Sequence, residues 1–345
     1  MKRGCKYGTH RVIEPEGVLP QPAWKIDNTM EIYDNEILID VKTLNIDSAS
    51  FTQIKEEAES DVDKIKEKML EIVSERGKHH NPVTGSGGML IGEIKEIGPA
   101  LEGKTDLKVG DRIATLVSLS LTPLKINEIK EVKKDIDQVH IEGEAILFES
   151  GIYAKLPEDM NETLALAVLD VAGAPAQTAK LVSPGDTVAI IGAGGKSGLL
   201  CLHQAKKMAG VTGKVIAFEY SEEACQRIEA LGLADKIIQG DATNAVEVMD
   251  KIAEVTDGEM ADVTINNVNI PKTEMGSILS TKDDGTIYFF SMATSFTAAA
   301  LGAEGVGKDT EMIIGNGYTK GHAKIALETL RENKELRGLF EELYV

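Results

Sequence analysis

Residues 36–44 (EILIDVKTL) alternate apolar and polar positions, and residues 92–97 (GEIKEI) do so again. A period of two marks strands with one buried face. Residues 107–116 (LKVGDRIATL) set a Gly-Asp turn ahead of a further strand, so the N-terminal region reads as β-rich. Between these strands the period changes. Phe51, Ile54, Ala58, Val62, Ile65, Met69 and Ile72 recur at steps of three or four, with Glu and Lys on the other faces, which predicts one long amphipathic helix over residues 51–76. Arg76, Gly77, Lys78, His79, His80, Asn81 and Pro82 then supply a stop, with basic residues at the negative helix end. Both charge signs mix on the exposed face, so this helix reads as a packing element rather than a membrane or partner-binding helix.

From about residue 161 short apolar strands alternate with helical stretches: 187–191, 214–218, 236–238, 263–265, 286–290 and 312–314. Strands spaced by helices predict an α/β doubly wound parallel sheet. There is no internal repeat. The change of pattern predicts two domains, 1–160 with a helical insertion near 51–76, and 161–345 ending in a helix, each within the usual domain length.

Composition narrows the function. The net charge of −19 repels phosphate backbones and no basic patch offsets it, which argues against nucleic-acid partners and for a small-molecule substrate. No apolar run approaches the 18 to 20 or so residues of a membrane span, and the basic start leads into polar residues, so a cytoplasmic protein without membrane partners is expected. Cys5, Cys201 and Cys225 fall into no CxxC or Cys/His pairing, which signals neither a disulfide framework nor a zinc site. A homodimer is the expectation from base rates.

The strand TVAII runs into Gly192, Ala193, Gly194, Gly195, Lys196, Ser197 and Gly198, and then into a helical segment. Glycines allow such a turn and let the backbone approach a pyrophosphate, which then rests on the N–H groups of the helix start. The next strand ends in Glu219, 219 − 198 = 21 positions past the last glycine, close to the roughly 20 expected of an acid that binds the ribose. Gly195-Lys196-Ser197 imitates a P-loop, but that motif needs a glycine where Ile190 stands, so ATP is the weaker reading. A carboxylate at Glu219, followed by the uncharged Tyr220, accepts bonds from two ribose hydroxyls and repels a 2′-phosphate. NAD is favoured over NADP.

The order GEIKEIG, LKVGDRI and VAIIGAGGKSG resembles the medium-chain dehydrogenase/reductase superfamily. That resemblance implies a Rossmann doubly wound parallel sheet preceded by a GroES-like β-barrel-type domain that carries substrate and catalysis. The opening stretches GCKYGTHRVIEP (residues 4–15) and GVLPQPA (17–23) are similar to dehydrogenases of bacterial lysine fermentation, which implies oxidative deamination of a 3-amino group. Where zinc-dependent members of the superfamily carry ligands, this chain has Asn45 and Gly88, and near the third ligand it reads Leu169-Asp170-Val171-Ala172-Gly173. A zinc-independent enzyme is therefore expected.

Amine oxidation needs a base for the ammonium proton and for water, and carboxylates suit both tasks. Asp47 falls near the proton-relay position of related dehydrogenases, though Asp before a helix also serves as an N-cap. Asp170 is the second candidate; it could instead bond the local backbone. Lys78, His79 and His80 are candidates for the substrate carboxylate, or simply a solvated helix end. Asn266, Asn267, Ser291 and Met292 end later strands on the ligand-binding edge of an open α/β sheet and are candidate nicotinamide neighbours; Asn pairs also serve turns. Two other functions compete: a zinc-free quinone or enoyl reductase, which usually prefers NADPH, and a non-catalytic dinucleotide-binding protein.

Overall fold

The computed structural model describes residues 2–85, 87–315 and 317–345, with side chains for all but 48 and 49. The chain divides into two compact units, Met1–Glu158 and Asp159–Val345.

In unit 1 a short ribbon, β1 (Val12–Glu14) and β2 (Lys25–Ile26), precedes β3 (Glu36–Asn45). Helices α1 (Ser48–Glu57) and α2 (Val62–Arg76) follow, then β4 (Met89–Ile97), β5 (Arg112–Thr115), β6 (Leu124–Lys133), β7 (Gln138–Phe148) and β8 (Tyr153–Lys155). The six strands from β3 onward form one antiparallel sheet in the order β6-β7-β3-β4-β5-β8. The long central β3 carries the alternating apolar residues, and Ile37, Ile39 and Val41 point into the core. Each such side chain contributes roughly 1.5–3 kcal/mol by burial.

The single helix expected over 51–76 is two helices. Glu59 and Ser60 adopt positive φ values of 54° and 61°, and the Asp61 carboxylate caps α2 by accepting from the N–H groups of Asp63 and Lys64. An Asp side chain competes with the helical bond pattern in this way wherever it can close a cap. The apolar period runs on across the break because Phe51, Ile54, Ala58, Ile65, Met69 and Ile72 all enter the same core.

Unit 2 opens with α3 (Glu162–Leu169) and α4 (Gly173–Leu181) and then alternates strand and helix: β9 (Thr187–Ile191), α5 (Lys196–Ala209), β10 (Lys214–Glu219), α6 (Glu222–Leu231), β11 (Lys236–Gln239), α7 (Ala245–Thr256), β12 (Ala261–Asn266), α8 (Glu274–Leu279), β13 (Thr281–Phe289), α9 (Phe296–Val306) and β14 (Thr310–Ile314). Two helices, α10 (His322–Glu332) and α11 (Lys334–Tyr344), close the chain. The sheet order is β11-β10-β9-β12-β13-β14, every pair parallel. All six strands read from the sequence are there. The order reverses between β9 and β12, the switch point at which such sheets bind ligands.

Candidate active site

β9 ends at Ile191 and the chain turns through Gly192, whose φ of 76° is free of strain only for glycine. A Cβ at Gly198 would stand 2.3 Å from the Gly192 carbonyl oxygen, so glycine there lets α5 seat against the turn. At Gly195 a Cβ would meet nothing within 4 Å. Gly195 is also the N-cap of α5 and provides no side-chain cap, whereas Ser221, Asn244 and Ser295 cap α6, α7 and α9. The N–H groups of Lys196, Ser197 and Gly198 are the unbonded donors of that first turn, at a helix end that favours an anion.

Parallel pairing of β10 with β9 sets Phe218 opposite Ile191, which brings the next residue, Glu219, beside the glycine turn. Its Oε2 accepts the Gly194 N–H at 2.8 Å, and Oε1 accepts the Tyr220 and Ser221 N–H groups at 2.9 and 3.1 Å. A Cβ at Gly194 would stand 2.6 Å from the Ala224 Cβ, so this carboxylate packs directly over a bare backbone. Next to it, at the ends of β10 and β11, lies an open cleft of about 630 Å³ lined by Tyr220, Ser221, Glu222, Gln239, Asp241 and others. Three of its lining residues, Glu222, Asp241 and Glu247, are acids and none is Lys or Arg. The sequence reading missed this cleft, although an acid two residues past a sheet-edge strand was a signal.

At the switch point Asn267 N–H bonds the Ile191 carbonyl at 2.8 Å. Asn266 is buried; its amide nitrogen donates to Thr273 and Ser277, and its carbonyl oxygen accepts the Val268 N–H. Its side chain therefore holds the turn after β12. Asn267 differs, with an Nδ2 that is buried and makes no hydrogen bond among the described residues. Ser291 Oγ lies 3.3 Å from Asn269 Oδ1, and Met292 is exposed. Asp170 sits at the C-terminal end of α3, and its Oδ2 pairs with Lys196 Nζ at 2.9 Å. It thus steadies the first residue of α5.

Asp47 is in unit 1 at the N-terminus of α1, where its Oδ1 caps the helix by accepting the Ser50 N–H at 3.0 Å. Its Oδ2 is buried and makes no hydrogen bond among the described residues. The cap therefore occupies only one of the two carboxylate oxygens. The Lys78 ammonium is buried and donates to the carbonyls of Pro20 and Gln21 at 2.6 and 2.9 Å; burial, and then the nearby Arg76 charge, push it down to about 7. Arg76 lies 4.2 Å over the Trp24 ring and donates to the Trp24 and His80 carbonyls. These cations fasten the segment around residues 20–24 rather than standing in solvent. His79 is buried and its ring nitrogens make no hydrogen bond among the described residues; burial holds it neutral, down at about 4. Half-buried His80 is also pushed down to about 4, by burial and then by Lys78 and Arg76.

Asn45 lies at the end of β3, its Oδ1 accepting from Gln138 at 3.3 Å. A Cβ at Gly88 would stand 2.1 Å from the Asn45 carbonyl oxygen, and its φ is 100°, so no ligand side chain fits there on this backbone. Among the described residues no group of three or more His, Cys, Asp or Glu is placed to hold a metal ion.

A parallel sheet with its glycine turn, uncapped α5 and strand-end acid, preceded by an antiparallel domain, defines an oxidoreductase of the medium-chain dehydrogenase/reductase type that uses a nicotinamide cofactor. Residues 10–157 match the L-erythro-3,5-diaminohexanoate dehydrogenase N-terminal domain family, and residues 198–306 match the zinc-binding dehydrogenase family. Over 343 residues, 99% of this chain and 100% of the relative, the sequence is 64% identical to an L-erythro-3,5-diaminohexanoate dehydrogenase of Acetoanaerobium sticklandii. It is 63% identical to one of Fusobacterium nucleatum over 100% of both chains. Among solved structures, a mycobacterial protein in complex with NADPH superposes with a TM-score of 0.55 at 15% identity, covering 93% of this chain and 85% of that one; at that identity the likeness shows the fold alone. The chain belongs to the L-erythro-3,5-diaminohexanoate dehydrogenase family and is an oxidoreductase, not a silent dinucleotide-binding protein. No helix among the described residues is long and apolar enough to cross a membrane.

Proposed function

We propose that the enzyme oxidises the C3 amine of L-erythro-3,5-diaminohexanoate with NAD, giving 5-amino-3-oxohexanoate, ammonium and a proton. The substrate follows from the full-length relatives. The observation that carries the cofactor choice is Glu219, bonded to the glycine turn beside a cleft lined by acids and no Lys or Arg. A 2′-phosphate there would meet only negative charge.

Gly194, Gly195, Lys196, Ser197 and Gly198 would hold the pyrophosphate of the dinucleotide, Glu219 and Tyr220 its adenosine ribose, and Asn267, Ser291 and Met292 its nicotinamide end. The bound dinucleotide supplies a hydride acceptor for C3. Asp47 removes the proton from the C3 ammonium through Oδ2, since a protonated amine has no lone pair to expel a hydride. Loss of hydride leaves a substrate iminium whose own charge makes C3 electrophilic. Asp47 passes the ammonium proton to solvent; water then adds to C3 and gives a proton to Asp47, which returns it to the nitrogen, so that ammonia leaves as the C3 hydroxyl loses its proton and the ketone forms. No step asks for a Lewis acid. Asp170 keeps Lys196 in place rather than touching substrate.

Edge strand β14, with Ile314 exposed on it and Phe296 and Leu301 exposed on α9, supports a homodimer joined along that edge. Three free thiols fit a reducing cytoplasm.

Metal-depleted protein given L-erythro-3,5-diaminohexanoate and NAD should produce reduced nicotinamide and ammonium one for one, with a specificity constant at least about tenfold above that with NADP. Equal use of NADP, or turnover that returns only with zinc, would contradict the proposal.

A further inference from the structure

The cleft of about 630 Å³ at the ends of β10 and β11 opens beside the acid assigned to the adenosine ribose, and the part of a dinucleotide joined to that ribose is a planar base. The three acids that line the cleft differ. Glu247 pairs with Lys251 at 2.7 Å, one helical turn away. Glu222 is exposed in the first turn of α6, where the helix end alone favours a carboxylate. Asp241 is half-buried, and no cation pairs with it among the described residues. The Gly240 N–H bonds the Glu219 carbonyl at 2.9 Å, which ties the backbone just ahead of Asp241 to the end of β10. Thr243 then pins the side chain: Asp241 Oδ1 accepts the Thr243 N–H at 2.9 Å and the Thr243 hydroxyl at 2.7 Å. Those bonds, the hydroxyl's foremost, hold the carboxyl below its usual range, so it is ionised at neutral pH. Oδ2 makes no hydrogen bond among the described residues. Asp241 thus offers the cleft a fixed, charged acceptor and no donor.

Resting on the reading that unit 2 binds NAD, we propose that Asp241 selects the base of the dinucleotide, its Oδ2 accepting the 6-amino group of adenine. Adenine presents an N–H donor at that position, whereas a 6-oxopurine presents a carbonyl oxygen, which a carboxylate repels. The Tyr220 ring, 74% exposed at the same cleft, gives the base a π face to stack on. The pin from Thr243 also fixes what an amide would do there. In Asp241→Asn the side-chain carbonyl keeps the two bonds from Thr243, as Asn and Asp side chains do in such turns, and the NH₂ group takes the place of Oδ2.

Calorimetric binding to the full chain tests this without turnover, with NAD and nicotinamide hypoxanthine dinucleotide as the two probes. Wild type should bind NAD at least about tenfold more tightly, because the hypoxanthine form sets an acceptor against a carboxylate. Asp241→Asn should reverse that preference, since its NH₂ group donates to the 6-oxygen. Asp241→Ala should bring the two affinities within about twofold of each other. Equal affinities in wild type, or an unchanged preference for NAD in Asp241→Asn, would overturn the proposal and leave the cofactor reading intact. Binding of neither dinucleotide by folded wild type would remove that reading, and this proposal with it.

Discussion

The two units use their polar groups in opposite ways. In unit 2 the groups placed for binding are backbone N–H donors at the start of α5, held by a glycine turn and one acid at a strand end. Around them the sheet interior is apolar, with Val188, Ile190, Ile216 and Ile265 inaccessible to solvent. Among the described residues unit 1 buries more acidic and basic side chains, Arg11, Glu36, Arg76, Lys78 and His79, against Glu274 and His322 in unit 2. Arg11 and Glu36 form a bidentate pair at 2.7 and 2.6 Å with both side chains 1% exposed, and Lys78 and His79 are buried too, Lys78 donating to the carbonyls of the distant Pro20 and Gln21. A binding site made of backbone follows wherever the fold is right; one made of buried charges depends on each partner. Unit 1 should therefore be the more fragile to single substitutions and to acid.

The largest effect should come from Arg11→Met. Glu36 would be left buried and charged, and loss of one member of a buried pair costs about 3–5 kcal/mol. Burial alone would raise the Glu36 carboxyl, but bonds from Arg11, His10 and the Tyr33 N–H outweigh it and hold it at about 2. Trp24, the one tryptophan, lies in unit 1, so its fluorescence should show unfolding at lower denaturant while NAD binding by unit 2 persists. Simultaneous loss of both would erase the contrast between the units.

Acid gives a smaller effect of the same kind. His79 and His80 titrate near 6.5 when unfolded and at about 4 when folded, so between those values the unfolded chain binds more protons and stability falls as pH falls. Below about 4.5 protonation of Glu36 in the unfolded chain extends the loss toward pH 2. Melting followed by Trp24 should drop across pH 6.5 to 4, more steeply than in His79→Leu. A melting temperature that is flat over that window would refute the burial argument.

Smallest is the cofactor switch, on the order of tenfold or 1.4 kcal/mol. Glu219→Ser with Tyr220→Arg should shift the ratio of specificity constants toward NADP, and an unchanged ratio would remove Glu219 as the discriminating residue.

The same contrast explains what the sequence made legible. Each strand of unit 2 is a short apolar run next to a helix, and the glycine turn and Glu219 sit at a spacing set by strand and helix length, so all six strands and the acid could be read directly. In unit 1 the strand β6 was missed, because Leu124–Lys133 keeps only Leu124 and Ile129 buried and its other positions are half-buried or exposed. The break at Glu59 and Ser60 was hidden by an apolar period that continues through it. His79 looked like a solvated helix end because sequence position says nothing of the loop that folds it beneath α1. Asp47 was legible both as a cap and as a candidate base, and only the structure shows that the cap occupies Oδ1 while Oδ2 has no hydrogen-bond partner among the described residues.

Turnover of Asp47→Asn tests the central claim most directly, since Asn caps a helix about as well as Asp yet cannot accept the ammonium proton. The account predicts a kcat lower by about 10² or more, with melting temperature and NAD affinity unchanged. Near-normal kcat in that variant would contradict it.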